Sequence, residues 1–173
     1  IIGIDPGVKG CLATIEGRGR DRRFTWERLY PERDKGQPLD VDAPARRIRE
    51  LVEAHNGDVA IYLEELITLS HDGRHSVKTS GERWGDLRRV CQEAGARHFD
   101  TMQPRTWMAR LGLKRLPRDK TARKRALAQR AWMETGATSR ELPIYLADGT
   151  LVALYGAFDW NLRGRLAPSR EVA

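Results

Sequence analysis

Cysteines, long hydrophobic segments, repeats and low-complexity stretches are scarce or absent in this chain of 173 residues. Its two cysteines, Cys11 and Cys91, lie far apart and lack the Cys or His spacing of a zinc site, so we expect reduced thiols. No apolar run approaches the roughly 18 residues of a membrane span, and no membrane partner is expected. Because 40% of the residues are apolar and 32% are charged, the composition predicts one soluble globular domain and excludes a disordered chain.

The net charge of +7 comes from one segment of the chain. Between residues 83 and 134 the sequence has 14 Lys and Arg against 5 Asp and Glu, whereas the remainder has 17 against 19. A concentrated positive field of this kind attracts a polyanion, because neutralised phosphates release condensed counterions. A solvated, arginine-rich helical surface would give the same pattern, so charge alone leaves both interpretations open.

Hydrophobic patterning predicts three strands followed by a helix, a strand, a helix, a strand and then further helices. The predicted strands are residues 1–5, 11–16, 24–30, 59–67 and 97–102. The predicted helices are residues 41–55, 77–94, 104–111 and 117–133, with a final apolar helix that starts near Asp148. This order is typical of an α/β domain with a mixed sheet. We assign residues 1–164 to this single domain and residues 165–173 to a short C-terminal tail.

Two of the predicted helices carry a packing signal. Gly81 and Gly85 lie inside the second helix, where each glycine costs roughly 1 kcal/mol relative to alanine, so we expect a neighbouring element to approach closely there. The final helix has an apolar stripe at helical spacing, which predicts that this face is buried. The stripe consists of Leu151, Leu154, Tyr155, Phe158 and Leu162.

Two of the predicted strands contain carboxylates. Asp5 ends an apolar strand, and Glu64 and Glu65 lie in a near-continuous apolar strand that is typical of the centre of a sheet. An unpaired carboxylate is costly to bury, so a glutamate here implies a metal, a basic partner or a raised pKa. Simpler explanations are a backbone hydrogen bond that the Asp5 side chain accepts to open the Asp-Pro-Gly turn, and an ion pair between a glutamate and an arginine.

Asp148 lies at the start of the final helix, just before Leu151 and Val152 on its buried side. An acidic residue in a first turn commonly complements the helix dipole, and this alone would account for it. Together with Asp5 and Glu64, however, it completes a set of three carboxylates that is able to hold Mg²⁺, which prefers oxygen ligands. Two such ions can promote phosphodiester hydrolysis, with the basic segment delivering the phosphate.

The motifs resemble, in their order and spacing, those of RuvC-like Holliday junction resolvases of the phage type, which have the ribonuclease H-like fold. The family's opening strand and second acidic strand are similar to residues 1–10 (IIGIDPGVKG) and 62–66 (YLEEL). Its next helix and its Pro-x-x-Trp segment are similar to residues 81–88 (GERWGDLR) and 103–107 (QPRTW). Its basic helix and final helix are similar to residues 119–126 (DKTARKRA) and 146–156 (LADGTLVALYG). The resemblance covers nearly the whole chain.

This resemblance implies an α/β fold with a ribonuclease H-like mixed sheet flanked by helices. It places catalytic, metal-binding carboxylates at Asp5, Glu64 and Asp148, with Glu64 a better match than Glu65 because it takes the first acidic place in the strand motif. Members of the family usually carry a fourth Asp or His a few residues before the last aspartate. A Pro-Ile-Tyr segment occupies that place here, so Glu141, the nearest upstream acid, is the candidate fourth metal ligand.

The same resemblance implies a cofactor and partners. The expected cofactor is Mg²⁺, with two ions per site and Mn²⁺ able to substitute. Lys120, Arg123 and Lys124 of the basic helix are expected to bind DNA, and so is Arg105 of the Pro-x-x-Trp segment. Because cutting two strands symmetrically needs two related sites, we expect a homodimer. The implied location is the cytoplasm of a bacterium or of a phage-infected host cell.

The implied function is a metal-dependent endonuclease that resolves four-way DNA junctions by paired phosphodiester hydrolysis, in DNA recombination and repair. Two alternatives are a ribonuclease H-like nuclease that acts on RNA or RNA/DNA hybrids, and a structure-selective DNA-binding protein with little or no catalysis. His71 and His75 could contact DNA or carry protons, although exposed loop histidines are the favoured explanation. The five tryptophans are predicted mainly to anchor the core.

Overall fold

The computed structural model describes residues 1–7, 9–17, 21–31, 40–66 and 74–166, without the side chains of residues 74–76 and 162–166. Strands and helices in these ranges follow the predicted order. The strands are β1 (Ile2–Ile4), β2 (Cys11–Glu16), β3 (Arg23–Arg28), β4 (Ala60–Glu64) and β5 (His98–Met102). The α-helices are α1 (Ala43–Ala54), α2 (Arg74–Glu93), α3 (Pro104–Arg110), α4 (Lys120–Thr135) and α5 (Ala147–Leu166), and a short 3-10 helix (Ile144–Leu146) precedes α5.

The described strands form one mixed sheet in the order β3-β2-β1-β4-β5. The first three strands are joined by short connections and pair antiparallel, whereas β4 and β5 follow helical crossovers and pair parallel to their neighbours. The predicted mixed sheet flanked by helices is therefore confirmed.

Helices cover both faces of this sheet. Successive side chains of β4 point to opposite faces, so Ile61 and Leu63 pack with α1 and α2 while Ala60 and Tyr62 pack with α3, α4 and α5. The near-continuous apolar sequence of β4 follows from this double burial. Within the described residues, no helix is both long enough and apolar enough to span a lipid bilayer.

The helix α5 lies directly on the sheet because both elements carry small residues at their contact. A Cβ added to Gly3 of β1 would overlap the backbone of Ala153 in α5. A Cβ added to Gly149, near the start of α5, would come within 2.6 Å of the Cβ of Cys11. These contacts fix the first turn of α5 over the end of β1 and the beginning of β2.

Several element boundaries differ from the sequence prediction. The strand β4 ends at Glu64 rather than at residue 67, and the backbone N–H of Glu65 then donates to the carbonyl of Met102 at 2.7 Å. The helix α5 extends to Leu166, past the predicted domain end at residue 164, and residues 167–173 lie outside the described ranges.

The helix α4 begins at Lys120, three residues later than predicted, because Asp119 caps it. The Asp119 Oδ1 atom accepts a hydrogen bond from the backbone N–H of Ala122 at 2.7 Å. The helix ends at Thr135, where Gly136 takes a left-handed φ of 73°.

The expected close approach at Gly81 and Gly85 is wrong. Both glycines are exposed on α2, and among the described residues no heavy atom lies within 4 Å of a Cβ built at either position, apart from immediate neighbours and the helix's own nearby backbone. A glycine that merely weakens a solvated helix gives the same sequence signal as one that a neighbouring element requires.

The predicted apolar stripe of α5 is only partly buried. Leu151 and Leu154 are buried, whereas Phe158 is 46% exposed. The guanidinium of Arg110 in α3 lies over the Phe158 ring, 4.8 Å from its centroid, so this side chain packs at the surface. The Leu162 and His75 side chains and the whole of His71 lie outside the described structure.

Candidate active site

The carboxyl ends of β1 and β4 lie side by side at one edge of the sheet. Their parallel pairing sets Ile4 opposite Leu63, so the next residues in register are Asp5 and Glu64. Two carboxylates that are 59 positions apart in the sequence therefore leave the sheet at the same place.

Asp148 reaches this edge from α5. Its neighbour Gly149 packs against Cys11, and the carbonyl of Cys11 accepts a hydrogen bond from the backbone N–H of Asp5 at 2.9 Å. The charge of Asp5 raises the pKa of Asp148, which places the two carboxylates within electrostatic range of each other. The helix-to-sheet contact thus brings the third acid to the first two.

The loop that follows β1 holds Asp5 in place. The backbone N–H of Gly7 donates to Asp5 Oδ1 at 3.0 Å, and the backbone N–H of Gly10 donates to the carbonyl of Gly7 at 2.7 Å. A Cβ at Gly10 would overlap the carbonyl of Asp5, so the tight loop requires glycine there. The hydrogen bond of an Asp-Pro-Gly turn is present, and the same carboxylate also belongs to the acidic cluster.

Two tryptophans hold Glu64. The indole N–H of Trp107 donates to Glu64 Oε1 at 3.0 Å, and that of Trp84 donates to the Glu64 backbone carbonyl, also at 3.0 Å. Trp107 is fully buried, as expected of a core anchor, but the sequence pattern does not predict its hydrogen bond to Glu64. The signal that could have revealed it is the Pro-x-x-Trp segment directly after β5, the strand that pairs with β4.

The adjacent Glu65 makes a different set of contacts. Its Oε1 atom accepts a hydrogen bond from the hydroxyl of Thr101 at 3.3 Å, and its backbone pairs with the end of β5. Glu65 is not one of the described charges that shift the pKa values of Asp5, Glu64 and Asp148. The structure therefore brings Glu64, and not Glu65, to the cluster.

Burial raises the pKa values of the three clustered acids, and repulsion by a neighbouring carboxylate adds to it for Glu64 and Asp148. Burial is the largest cause for each of them. The charges of Asp5 and Asp148 add to it for Glu64, whose pKa rises to about 8, and the charge of Asp5 adds to it for Asp148, whose pKa rises to about 6. Nearby positive charge therefore offsets only part of the cost of ionising these acids, and a bound cation would lower that cost further.

The basic helix α4 lies alongside this cluster. The positive charge of Lys124 lowers the pKa of each of the three carboxylates, and Arg123 does so for Asp148. Lys120, one turn before Lys124, and Arg105 in α3 are exposed. The predicted DNA-binding residues therefore sit on the same side of the sheet as the acids.

The structure does not bring Glu141 to the cluster. Its exposed carboxylate accepts hydrogen bonds from the backbone N–H and the hydroxyl of Thr138, at 2.7 and 2.8 Å, and these bonds lower its pKa. Pro143 and the 3-10 helix separate it from Asp148. Tyr145, three residues before Asp148, has the guanidinium of Arg28 stacked 4.7 Å from its ring centroid.

The donor set of the cluster fits a hard divalent cation. Its three side chains offer carboxylate oxygens, the ligands that Mg²⁺ prefers, and a cation would relieve the repulsion among them. Within the described residues, no group of three or more His, Cys, Asp and Glu side chains is already arranged to hold a metal ion.

Without bound metal, the free energy of unfolding is expected to fall as the pH rises from about 4.5 to about 8. The pKa of Glu64 is about 8 in the folded protein, against an ordinary value of 4.5. The folded state therefore holds this proton more tightly than the unfolded state does. The resulting contribution to the free energy of unfolding is complete below pH 4.5 and is lost as the pH rises through about 8. Asp148 acts in the same direction between 3.8 and about 6. Thermal unfolding in EDTA at pH 5 and pH 8 measures this difference. Glu64→Gln should reduce the difference in stability between pH 5 and pH 8. If that difference stayed the same, a raised pKa of Glu64 would not be its cause.

The order and directions of the strands define a ribonuclease H-like fold, and solved structures with this fold resemble the chain. "T. thermophilus RuvC in complex with Holliday junction substrate" has a TM-score of 0.65 and 19% sequence identity, over 93% of this chain and 94% of that chain. Another Thermus thermophilus RuvC structure has a TM-score of 0.61 and 20% identity, over 94% and 95% of the two chains. No protein-family model and no curated protein sequence matches the chain. The predicted RuvC-like fold is therefore confirmed.

Proposed function

We propose that this protein is a divalent-metal-dependent endonuclease that resolves four-way DNA junctions. The observation that carries this proposal is the convergence of Asp5, Glu64 and Asp148 at one sheet edge beside Lys124. The fold supports it, because one of the similar RuvC structures was solved with a Holliday junction substrate.

In this proposal Asp5, Glu64 and Asp148 hold Mg²⁺ or Mn²⁺, two ions per site. Such ions supply the charge that stabilises a phosphodiester undergoing hydrolysis and lower the pKa of water. The chain itself positions the ligands: Gly7 orients the carboxylate of Asp5, and Trp107 orients that of Glu64. Because these hydrogen bonds come from the backbone and from a buried indole, the carboxylates are held before a substrate arrives.

The basic helix provides the phosphate-binding surface. Lys120 and Lys124 lie one turn apart near the N-terminus of α4, and Lys124 is within electrostatic range of all three acids. A DNA strand bound along this helix would pass its backbone over the acidic cluster. Arg105 and Arg123 extend the positive surface toward α3.

Lys124→Ala is expected to weaken junction binding and to lower the magnitude of the salt slope by about 1, because one phosphate contact is lost. Fluorescence anisotropy with a labelled junction at several salt concentrations measures the slope, and Lys120→Ala should behave alike. Arg49→Ala is the matched control, because Arg49 is exposed on α1, on the opposite face of the sheet. Equal slopes for the Lys124 variant and the parent would mean that this lysine does not contact DNA.

The decisive experiment compares three substrates with and without metal. A synthetic four-way junction, the matching duplex and an RNA/DNA hybrid are incubated with Mg²⁺, with Mn²⁺ and with EDTA. Metal-dependent, paired nicks in the junction alone support the proposal. Cleavage of the hybrid instead would assign a ribonuclease H-like nuclease, and junction binding without cleavage would assign a DNA-binding protein.

Paired cuts require two active sites, and we propose that the protein acts as a homodimer. Light scattering coupled to size-exclusion chromatography gives the mass in solution. A monomeric mass at the concentration that supports paired nicking would contradict this part of the proposal.

A further inference from the structure

Arg28 is the last residue of β3, and its side chain leaves the sheet on the face that α5 covers. It pairs in register with Cys11, and the backbone N–H of Leu29 donates to the carbonyl of Gly10 at 2.9 Å. The pair is therefore of the non-hydrogen-bonded type, in which opposed side chains approach closely and share one face of the sheet. Cys11 belongs to the buried cluster beneath α3, α4 and α5, so Arg28 lies on that face too.

Arg28 also lies at the edge of the sheet that carries the acidic cluster. Its partner Cys11 is the first residue of β2, and the Cys11 carbonyl accepts the hydrogen bond from the backbone N–H of Asp5. Burial is the main cause of the raised pKa of the Cys11 thiol, and the charges of Asp5 and Asp148 add to it. Arg28 is thus directly across from a residue that is within electrostatic range of both acids.

Tyr145 holds the guanidinium of Arg28. Its ring centroid lies 4.7 Å from the guanidinium carbon, which is within the usual range of a cation–π contact. Trp26, two residues before Arg28 on β3, donates its indole N–H to the carbonyl of Glu141 at 2.5 Å and so ties the segment before Tyr145 to the same strand. A guanidinium that lies over a ring keeps its N–H donors along its edge, where they match the oxygens of a phosphate.

Arg28 differs from Lys124 in its relation to the acids. Lys124 reaches the cluster from α4 and lowers the pKa of all three carboxylates, whereas Arg28 is not one of the described charges that shift those pKa values. Arg28 comes from β3, an edge strand of the sheet, and its side chain is half-buried. It therefore lies next to the cluster without neutralising it, which suits a phosphate that neighbours the one at the carboxylates.

We propose that Arg28, held by Tyr145, binds a backbone phosphate of the DNA strand next to the phosphate that lies at the acidic cluster. The inference rests on the proposed function. Lys124 and Arg28 hold the strand from two different elements, α4 and β3, and two contacts fix the phosphate between them over the carboxylates. Tyr145 is a positioning residue, because it acts through Arg28. The Pro-Ile-Tyr segment, which offers no carboxylate to a metal, thereby takes part in substrate binding.

The first test compares two arginines of the same strand. Arg28→Ala should weaken binding of a labelled four-way junction in EDTA by about tenfold and lower the magnitude of the salt slope by about 1. Arg23→Ala is the matched control and should bind as the parent does, because Arg23 is exposed at the other end of β3, opposite Glu16. If circular dichroism shows that Arg28→Ala is unfolded, Arg28→Gln replaces it. An affinity and a salt slope equal to those of the parent, in a folded Arg28 variant, would overturn the inference.

The second test locates the phosphate. Junctions are made with one neutral methylphosphonate in place of a phosphate, at each position near the cut in turn. At the position that Arg28 contacts, the substitution should weaken binding by the parent but not by Arg28→Ala, because the contact is already lost. At the other contacted positions both proteins should lose affinity equally. If the Arg28 variant lost as much affinity as the parent at every position, Arg28 would not bind a phosphate there.

The third test examines the positioning role of Tyr145. Tyr145→Phe keeps the ring and should bind the junction as the parent does. Tyr145→Leu removes the ring and should weaken binding several-fold, but it should have no further effect in the Arg28→Ala background. If Tyr145→Leu does not fold, Tyr145→Met takes its place. Equal losses in both backgrounds would mean that the tyrosine does not act through Arg28.

The outcomes separate this inference from the proposed function. If the parent binds and cleaves the junction with Mg²⁺ and the folded Arg28 variant does so with the same affinity and salt slope, the assignment of Arg28 alone is overturned. If the parent neither binds nor cleaves the junction, the proposed function is overturned, and the assignment of Arg28 with it.

Discussion

Asp5→Asn, Glu64→Gln and Asp148→Asn are each expected to abolish metal-dependent junction cleavage, with a loss of at least about 10²–10³-fold. Each change keeps the shape of the side chain but removes one carboxylate from a cluster in which burial raises all three pKa values. Single-turnover cleavage of a labelled four-way junction measures the loss. Junction affinity in EDTA should be unchanged or higher, because a carboxylate is removed from beside the phosphates.

Glu65→Gln is the matched control for these variants. It removes the same charge from the residue next to Glu64, but the carboxylate of Glu65 pairs with Thr101 and does not act on the cluster. Near-normal cleavage is expected. If Glu65→Gln abolished cleavage while Glu64→Gln did not, the assignment of the strand carboxylate would be reversed.

The sequence was sufficient to predict the sheet and the convergence of the three acids. A carboxylate at the end of an apolar strand is a signal, because a core strand excludes charge unless its end opens onto a site. The family resemblance then favours a metal site over a turn hydrogen bond or an ion pair. Two such strands, Ile2–Ile4 and Ala60–Glu64, pair in parallel, and this pairing alone sets Asp5 beside Glu64. The position of the third acid, Asp148, then depends on where the final helix begins.

Contacts between side chains distant in sequence were not predictable in the same way. The hydrogen bond from Trp107 to Glu64 depends on how α3 packs against β4, and a buried tryptophan has the same sequence pattern whether or not its N–H meets a carboxylate. Glu141 is the nearest acid upstream of Asp148 in the sequence, and this position alone made it a candidate ligand. The structure instead pairs its carboxylate with Thr138, because a short local hydrogen-bonded turn is available to it.

A cavity of about 410 Å³ between α3 and the beginning of α4 shows a different limit of sequence reasoning. Its cations contribute to the basic excess between residues 83 and 134, so the sequence predicted a polyanion partner for this segment. The sequence did not show that Arg105 and Arg123 surround an apolar floor, because that floor forms only when the α3–α4 connection folds back against the core. Charge clusters can be read from a sequence, whereas concave surfaces require the fold.

The geometry of the candidate active site depends on the close contact between α5 and the sheet. Asp148 is fixed on α5, whereas Asp5 and Glu64 are fixed on β1 and β4. Any change that moves α5 away from the sheet therefore separates one of the proposed ligands from the other two. Fold stability and cleavage should fall together when this contact is disturbed.

Gly3→Ala should disturb it most directly and is expected to lower the free energy of unfolding by about 3 kcal/mol or more. The added Cβ would overlap the backbone of Ala153, which, unlike a flexible side chain, cannot move aside without displacing α5. Gly81→Ala provides the opposite case: its Cβ meets no described heavy atom within 4 Å, so the helix α2 should gain about 0.5–1 kcal/mol. Urea unfolding measures whether the free energy of unfolding falls in Gly3→Ala and rises in Gly81→Ala. If Gly3→Ala were as stable as the parent protein and cleaved junctions at the same rate, the helix would not lie as close to β1 as the structure places it.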